Sequence, residues 1–199
     1  MNYISHLNKD KTLKKILSKQ QPVILKKRKN VHLHLVASIM SQQLSTKVAD
    51  VIYNRFLGLY KGKIPTPVQV LNTVFDKLRS IGLSGSKTNY IHNVSRFAIE
   101  SGLESSKLSK MKDEEVIDYL VSIKGVGKWT AEMQLMFTLG REDVFPLDDL
   151  GIQNAMISLY NIKAKDKKQL YNRLLLISEN WRPYRTYACC HLWRWKDNA

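Results

Sequence analysis

The sequence predicts an all-α fold, and three observations carry that expectation. Apolar residues recur every three to four positions along most of the chain, capping and helix-breaking residues cut the recurrence into segments, and no stretch alternates apolar with polar residues as a half-buried strand would. Leu35, Val36, Ile39, Met40, Leu44, Val48, Val51, Ile52 and Phe56 make the first stripe, read as one long helix with a buried face. Thr66-Pro67 pairs an N-cap residue with a first-turn proline, opening a helix that carries Val70, Leu71, Val74, Phe75 and Leu78. After the turn Gly82-Leu83-Ser84-Gly85-Ser86, another stripe runs through Tyr90, Ile91, Val94, Phe97 and Ala98. Asp113 is placed as the cap of a helix bearing Val116, Ile117, Leu120 and Val121. Gly125-Val126-Gly127 interrupts, and Trp129, Met133, Met136 and Phe137 resume the period as far as Gly140. Further helices are expected from Asp149 (Ile152, Ala155, Met156, Leu159), from Asp166 (Leu170, Leu174, Ile177) and from Pro183 (Ala188, Leu192, Trp195). Residues 1–30 are lysine-rich and weakly periodic; a terminal helix packed on the second lobe and a mobile basic arm fit them equally.

The chain has 199 residues, 44% of them hydrophobic, enough for one domain with a buried core or two small lobes sharing a cleft. Lys and Arg number 32 against 17 Asp and Glu, a formal charge of +15. Such an excess points to a polyanionic partner, because neutralising phosphates releases counterions whatever the sequence. Charge alone does not separate DNA, RNA and anionic membrane. The two cysteines, Cys189 and Cys190, are adjacent and make a poor structural staple, so free thiols in a reducing compartment are expected. Without a four-cysteine cluster, an iron–sulfur site or a zinc site of that kind is excluded. The five histidines lack ligand spacing; His32 and His34 lie two apart, on different faces of a helix, so no metal site is expected. No apolar run approaches a membrane span. The expected location is intracellular: cytoplasm and nucleoid, or the nucleus in a eukaryote.

Leu120 to Ala131 read L-x-x-I-K-G-V-G-K-W-T-A. Without side chains at Gly125 and Gly127, the backbone of such a turn can approach a phosphate closely. The helix that follows offers its unpaired amides and positive dipole end to the same anion. Lys124 and Lys128 flank the turn with the matching charge, so Lys124, Gly125, Val126, Gly127 and Lys128 are the candidate phosphate contacts. A bare G-x-G marks no more than a tight helix–helix turn; the lysines and the W-T-A start give the phosphate reading its weight.

Downstream, Val144 to Ile152 read V-F-P-L-D-D-L-G-I. With I-M-S-Q-Q-L-S at Ile39–Ser45 and W-R-P-Y-R-T-Y-A-C-C-H-L-W-R at Trp181–Arg194, four motifs stand in order across about residues 35–195. At these residues the chain resembles the helix-hairpin-helix (HhH-GPD) DNA glycosylases, specifically their alkylpurine (3-methyladenine DNA glycosylase II-type) branch. The resemblance implies a single glycosylase domain over 1–199, built as two helical lobes flanking a DNA-binding cleft. One lobe would span about 31–135 and the other about 136–199 plus the N-terminal residues, with the helix-hairpin-helix at about 114–139.

It also implies roles for residues. Asp149, the second aspartate of the pair, matches the catalytic carboxylate, which stabilises positive charge on the sugar and orients or deprotonates water. An aspartate before an apolar run is ordinarily an N-cap, and either Asp148 fills that place or Asp149 does both jobs. Bifunctional relatives carry a lysine just after the G-V-G-K turn; here the residue is Trp129, so a monofunctional hydrolase of N-glycosyl bonds is expected. The duplex plug falls at Gln42, Gln43 and Leu44, with Gln43 or Leu44 intercalating and Leu44 equally well a core residue. Trp129 and Trp193 match base-pocket positions, core packing being as good an account of Trp193. Met133 stands where some relatives have tyrosine. Trp181, Tyr184, Tyr187 and Trp195 are assigned to core or support, and Arg182 and Arg185 to phosphates or acidic partners. The implied substrates are N3- or N7-alkylated purines, whose positive charge makes them ready leaving groups. The implied partner is double-stranded DNA, bound by a monomer with no cofactor beyond a monovalent cation at the hairpin. The rival readings are a non-catalytic DNA-binding module and a glycosylase for another damaged base.

Overall fold

The computed structural model describes residues 2–197, and every element among them is a helix; the one β-bridge, Asn30 to Glu104, is isolated. The chain divides into two compact units, Lys27–Leu139 and Met1–Lys26 with Gly140–Ala199. No helix among the described residues is long and apolar enough to cross a membrane.

The second-named unit begins with α1 (Tyr3–Leu7) and α2 (Lys14–Leu17). Leu7, Leu13, Ile16 and Leu17 are buried and Tyr3 stacks on Tyr187 with centroids 4.1 Å apart, so residues 3–17 are packed helical structure and not an arm, while Lys26–Lys29 are exposed. Asp10 ties it down. Its Oδ2 accepts from the Tyr160 hydroxyl (2.6 Å) and the Trp181 indole (3.1 Å), while Oδ1 accepts from the amides of Thr12 (2.9 Å) and Leu13 (3.0 Å). Burial by itself raises the Asp10 pKa, but these hydrogen bonds, led by that of Tyr160, outweigh it and hold the carboxyl below its usual 3.8. The stability it contributes is therefore present above pH 3.8 and lost as pH falls through the lower folded value. Asp10→Ala, which strands two partly buried donors, is expected to cost about 2–3 kcal/mol in urea unfolding at pH 7. The deficit should shrink below pH 4, where the native carboxyl takes up its proton; a constant deficit would overturn this account.

The inner unit holds α3 (Val31–Ser41), α4 (Thr46–Gly58), α5 (Pro67–Leu71), α6 (Phe75–Arg79), α7 (Gly85–Glu100), α8 (Ser105–Leu108), α9 (Asp113–Val121) and α10 (Lys128–Phe137). α3 buries Val31, His32, Leu33, Leu35, Val36, Ile39 and Met40 and packs against α4, α7 and α10. His32 donates from Nε2 to Ser95 Oγ (2.9 Å), whose own proton goes to the Ile91 carbonyl, and burial pushes its pKa down to about 4. His34, two residues on, is only half-buried and sits 3.3 Å from an Arg28 nitrogen.

Three expectations are corrected here. The single helix read over residues 35–56 is two, because Gln43 adopts φ 59° and the Ser45 side chain caps α4 at the Val48 amide. Four intervening residues amount to about one turn of 3.6, so the apolar spacing runs on across the break. Leu44, Val48 and Val51 are accordingly exposed, and only Ile52 and Phe56 of α4 are buried. The helix opened by Thr66, whose capping box with Gln69 is present, stops at Leu71 and resumes at Phe75. There the Thr73 hydroxyl donates to the Gln69 carbonyl (2.8 Å), the back-bonding that weakens helices. Lastly, Asp113 is the first residue of α9 and not its cap; the Glu115 carboxylate reaches back to the Lys112 amide (2.6 Å).

The chain returns to the unit of α1 and α2 with α11 (Leu150–Tyr160), α12 (Lys167–Glu179) and α13 (Arg185–Asp197). Asp166 caps α12 through the Gln169 amide (2.8 Å). α13 starts two residues after Pro183, which follows a cis peptide bond. Trp181 is fully buried, and Arg182 and Arg185 both bond Asp143, at 2.6 and 2.7 Å, which gives them acidic partners. Cys189 and Cys190 are buried and form no disulfide.

Candidate functional site

The loop before α11 turns at Pro146–Asp149, where the Asp149 amide donates to the Pro146 carbonyl (3.0 Å). Asp149 is the N-cap of α11, 8% exposed, and its Oδ1 accepts from the Ile152 amide (2.7 Å) and the Trp193 indole (3.0 Å). The cap and the candidate carboxylate are thus the same residue. Asp148 is exposed and accepts instead from the Tyr171 hydroxyl (2.6 Å), while Gln153 Nε2 donates to the Leu147 carbonyl (2.8 Å) and pins the loop. Trp193 is half-buried, and its indole nitrogen is spent on Asp149.

Gly151 completes this arrangement and escaped the reading of the sequence. A Cβ there would lie 3.1 Å from Asp149 Oδ1 and 3.2 Å from Trp193 Cδ1 and Nε1, so its absence lets the indole lie against the carboxylate. A glycine in the first turn of a helix costs stability relative to alanine, and that was the available signal.

In the other unit, Ser122 to Gly127 join α9 to α10, with the Val126 amide donating to the Ile123 carbonyl (2.9 Å). The two glycines differ. Gly125 has φ 107°, and a Cβ on it would come within 2.2 Å of the Tyr90 ring. Its missing side chain is therefore required by packing against Tyr90, whatever else approaches the backbone there. A Cβ on Gly127 would meet nothing within 4 Å. Gly127 also occupies the N-cap of α10 with no side-chain cap, whereas Asn30, Ser45, Ser84, Asp149 and Asp166 cap α3, α4, α7, α11 and α12. Val126 is buried. Lys124 and Lys128 are exposed, and Lys128 Nζ lies 3.9 Å from Glu132.

Trp129 follows on the first turn of α10, 44% exposed. Met133, one turn on, is buried and lines a cavity of about 380 Å³ with Ser38, Ser41, Tyr53, Gln134 and Phe137. Gln134 donates to Ser38 Oγ (3.0 Å) and accepts from Thr138 Oγ1 (2.8 Å). Between α3 and α4, Gln42 is half-buried, while Gln43 and Leu44 are exposed, so Leu44 is not a core residue. Asp149 and Trp193 are brought together in one unit; the hairpin, Trp129, Met133 and the Gln42–Leu44 segment stand in the other. Among the described residues no three His, Cys, Asp or Glu side chains are grouped to hold a metal ion.

Comparison with known proteins gives concordant matches. The family described as "HhH-GPD superfamily base excision DNA repair protein" matches residues 36–180. DNA-3-methyladenine glycosylase 1 of Schizosaccharomyces pombe is 35% identical over 187 residues, covering 92% of this chain and 80% of the relative. The solved structure of a 3-methyladenine DNA glycosylase from the same yeast, in complex with abasic DNA, superposes with a TM-score of 0.84 at 30% identity, over 98% of this chain and 96% of that one. A DNA-3-methyladenine glycosidase from Bacillus halodurans also gives 0.84, at 33% identity over 98% and 89% of the two chains. The chain carrying this hairpin and this capped carboxylate belongs to the HhH-GPD superfamily of base excision DNA repair proteins.

Proposed function

We propose that the protein is a monofunctional DNA glycosylase that flips alkylated purines out of duplex DNA and hydrolyses their N-glycosyl bond. The observation that carries this reading is Asp149, a largely buried carboxylate anchored through Oδ1 by a helix-terminal amide and the Trp193 indole. Breaking the bond to a purine leaves positive charge on the sugar, and a carboxylate held rigidly in a site of reduced polarity stabilises that charge without reorganising. The same group can take a proton from the attacking water. An N3- or N7-alkylated purine is already cationic, so its departure needs no acid to protonate it. The names of the relatives at 35% and 33% identity support this class of base.

The other residues act on the DNA. Gly127 and the uncapped start of α10, with Lys124 and Lys128, suit a backbone phosphate, which positions the duplex without reading sequence. A monovalent cation there would be held by carbonyls such as those of Ile123 and Lys124, each of which keeps a lone pair after accepting from Val126 or Asn93, and would add charge toward the phosphate. Gln43, exposed between two helices, is assigned to the gap left by the flipped nucleotide, with Gln42 and Leu44 on either side. Trp129 and Trp193 offer π faces to a cationic base, and Met133 a polarisable wall where some relatives carry tyrosine. Trp129 also stands where an amine would be needed to attack the sugar, so the strand is left intact. The protein acts as a monomer on DNA in the cytoplasm and nucleoid, or in the nucleus of a eukaryote.

Incubation with methylated duplex DNA is the test. Free 3-methyladenine or 7-methylguanine should appear, the strand should break only after alkali, and borohydride should trap no protein–DNA adduct. Duplex binding with no base released would favour a non-catalytic DNA-binding module, release of uncharged lesions alone would name a different glycosylase, and a trapped adduct would overturn the monofunctional assignment.

A further inference from the structure

The segment Gln42–Ser45 is held from outside by a residue with no place in the chemistry above. Lys87, in the first turn of α7, donates from Nζ to the carbonyls of Gln42 (2.7 Å) and Met40 (3.0 Å). These carbonyls lie at the C-terminal end of α3, where backbone acceptors lose their intrahelical partners and the dipole is negative, so a cation is favoured there twice over. For α7 itself the residue is badly placed, because a positive charge in the first turn opposes the dipole of its own helix. The ammonium is also partly desolvated, which lowers its pKa, and among the described residues no acidic side chain is bonded to it. The sequence hides this link, since Lys87 is 45 residues from Gln42 and reads as one more surface lysine.

What Lys87 holds is a strained conformation. Gln43 sits at φ 59°, a left-handed geometry that a side chain with Cβ adopts reluctantly, and the Leu44 amide closes the turn on the Ser41 carbonyl (3.1 Å). A segment in that state relaxes when its anchor is removed.

We propose that Lys87 is a positioning residue that caps the end of α3 and fixes Gln43 in the conformation from which it enters the duplex. The inference rests on the assignment of Gln43 as the plug. Loss of the ammonium should impair insertion and leave the hairpin's grip on DNA unchanged.

The experiment places 2-aminopurine beside an abasic-site analogue in a duplex and measures its fluorescence at saturating protein for the native chain, Gln43→Ala, Lys87→Met and Lys87→Arg. Native protein should unstack the probe and raise its signal, and Gln43→Ala should not. Lys87→Met, which keeps length and loses the donors, should bind within about twofold of native affinity. It should also lower the inserted population about tenfold, the weight of a lost charge-assisted hydrogen bond. Lys87→Arg should recover much of the signal. Equal signal from Lys87→Met and native protein overturns the proposal. So does a loss that Lys87→Arg fails to restore while both variants keep the native Tm. Base release is scored separately on methylated duplex: native protein that raises the probe signal but frees no base counts against the glycosylase reading and leaves the role of Lys87 standing.

Discussion

Asp149→Asn is expected to lower base release from methylated duplex by about a hundredfold to a thousandfold, the range for removing one preorganised electrostatic group from an active site. The substitution isolates the charge. Asparagine is as good an N-cap as aspartate, and its amide oxygen can take over the two donors that meet at Oδ1, the Ile152 amide and the Trp193 indole. The fold of α11 and the place of the indole should therefore survive, with Tm close to native. Duplex affinity, which the proposed function assigns to the hairpin, should persist as well. Single-turnover release at saturating protein separates the two effects, because a loss confined to the chemical step appears in the rate and not in the binding constant. A variant that still releases base within a few-fold of the native rate would remove Asp149 from the mechanism.

Gly125→Ala should be the most damaging single methyl added to the hairpin. The new Cβ would meet the Tyr90 ring at 2.2 Å, and the backbone stands at φ 107°, so crowding and strain act together. The expected cost is about 2–4 kcal/mol, which at about 2–4 °C per kcal/mol for a chain of this length is a large fall in Tm. Gly127→Ala, two residues away, has open space around the same atom and should leave Tm within a degree or two, about the scale of an exposed substitution. It should nevertheless weaken duplex binding, since the added methyl stands where a phosphate would approach. Affinity measured against salt distinguishes this from a lost charge: Gly127→Ala should lower log K with an unchanged slope, whereas Lys124→Ala should reduce the slope by about 1. Full stability in Gly125→Ala, or unfolding in Gly127→Ala, would invert the division of labour between the two glycines.

Much of the architecture was legible because the signals involved are local. A buried helix face must repeat near every 3.6 residues, so the spacing of Ile152 to Leu159 or of Leu170 to Ile177 declares a helix without knowledge of its partner. Caps are equally local: Thr66, Asp149 and Asp166 each bond an amide within three residues, and the structure has all three as N-caps. The misreadings arose where a local pattern was ambiguous over about one turn. The period through Leu44, Val48 and Val51 cannot distinguish a continuous helix from two helices separated by four residues, although only in the second case are those side chains exposed.

The sequence by itself therefore determined the all-α class, the glycine turn between α9 and α10, and the aspartate pair before α11, since each depends on residues within a few positions of one another. Tertiary structure decided what those residues touch. Only the folded chain sets Trp193 on the carboxylate of Asp149 rather than in the core, and leaves the room at Gly151 that makes the contact possible. Only the fold gives Asp148 to Tyr171, Gly125 to the ring of Tyr90, Asp10 to Tyr160 and Trp181, and Lys87 to the end of α3. These contacts join residues from 23 to 171 positions apart, and no period or spacing records them. The physical reason is that a hydrogen bond or a steric contact depends on distance in space, which the packing of apolar faces imposes on the polar residues carried between them.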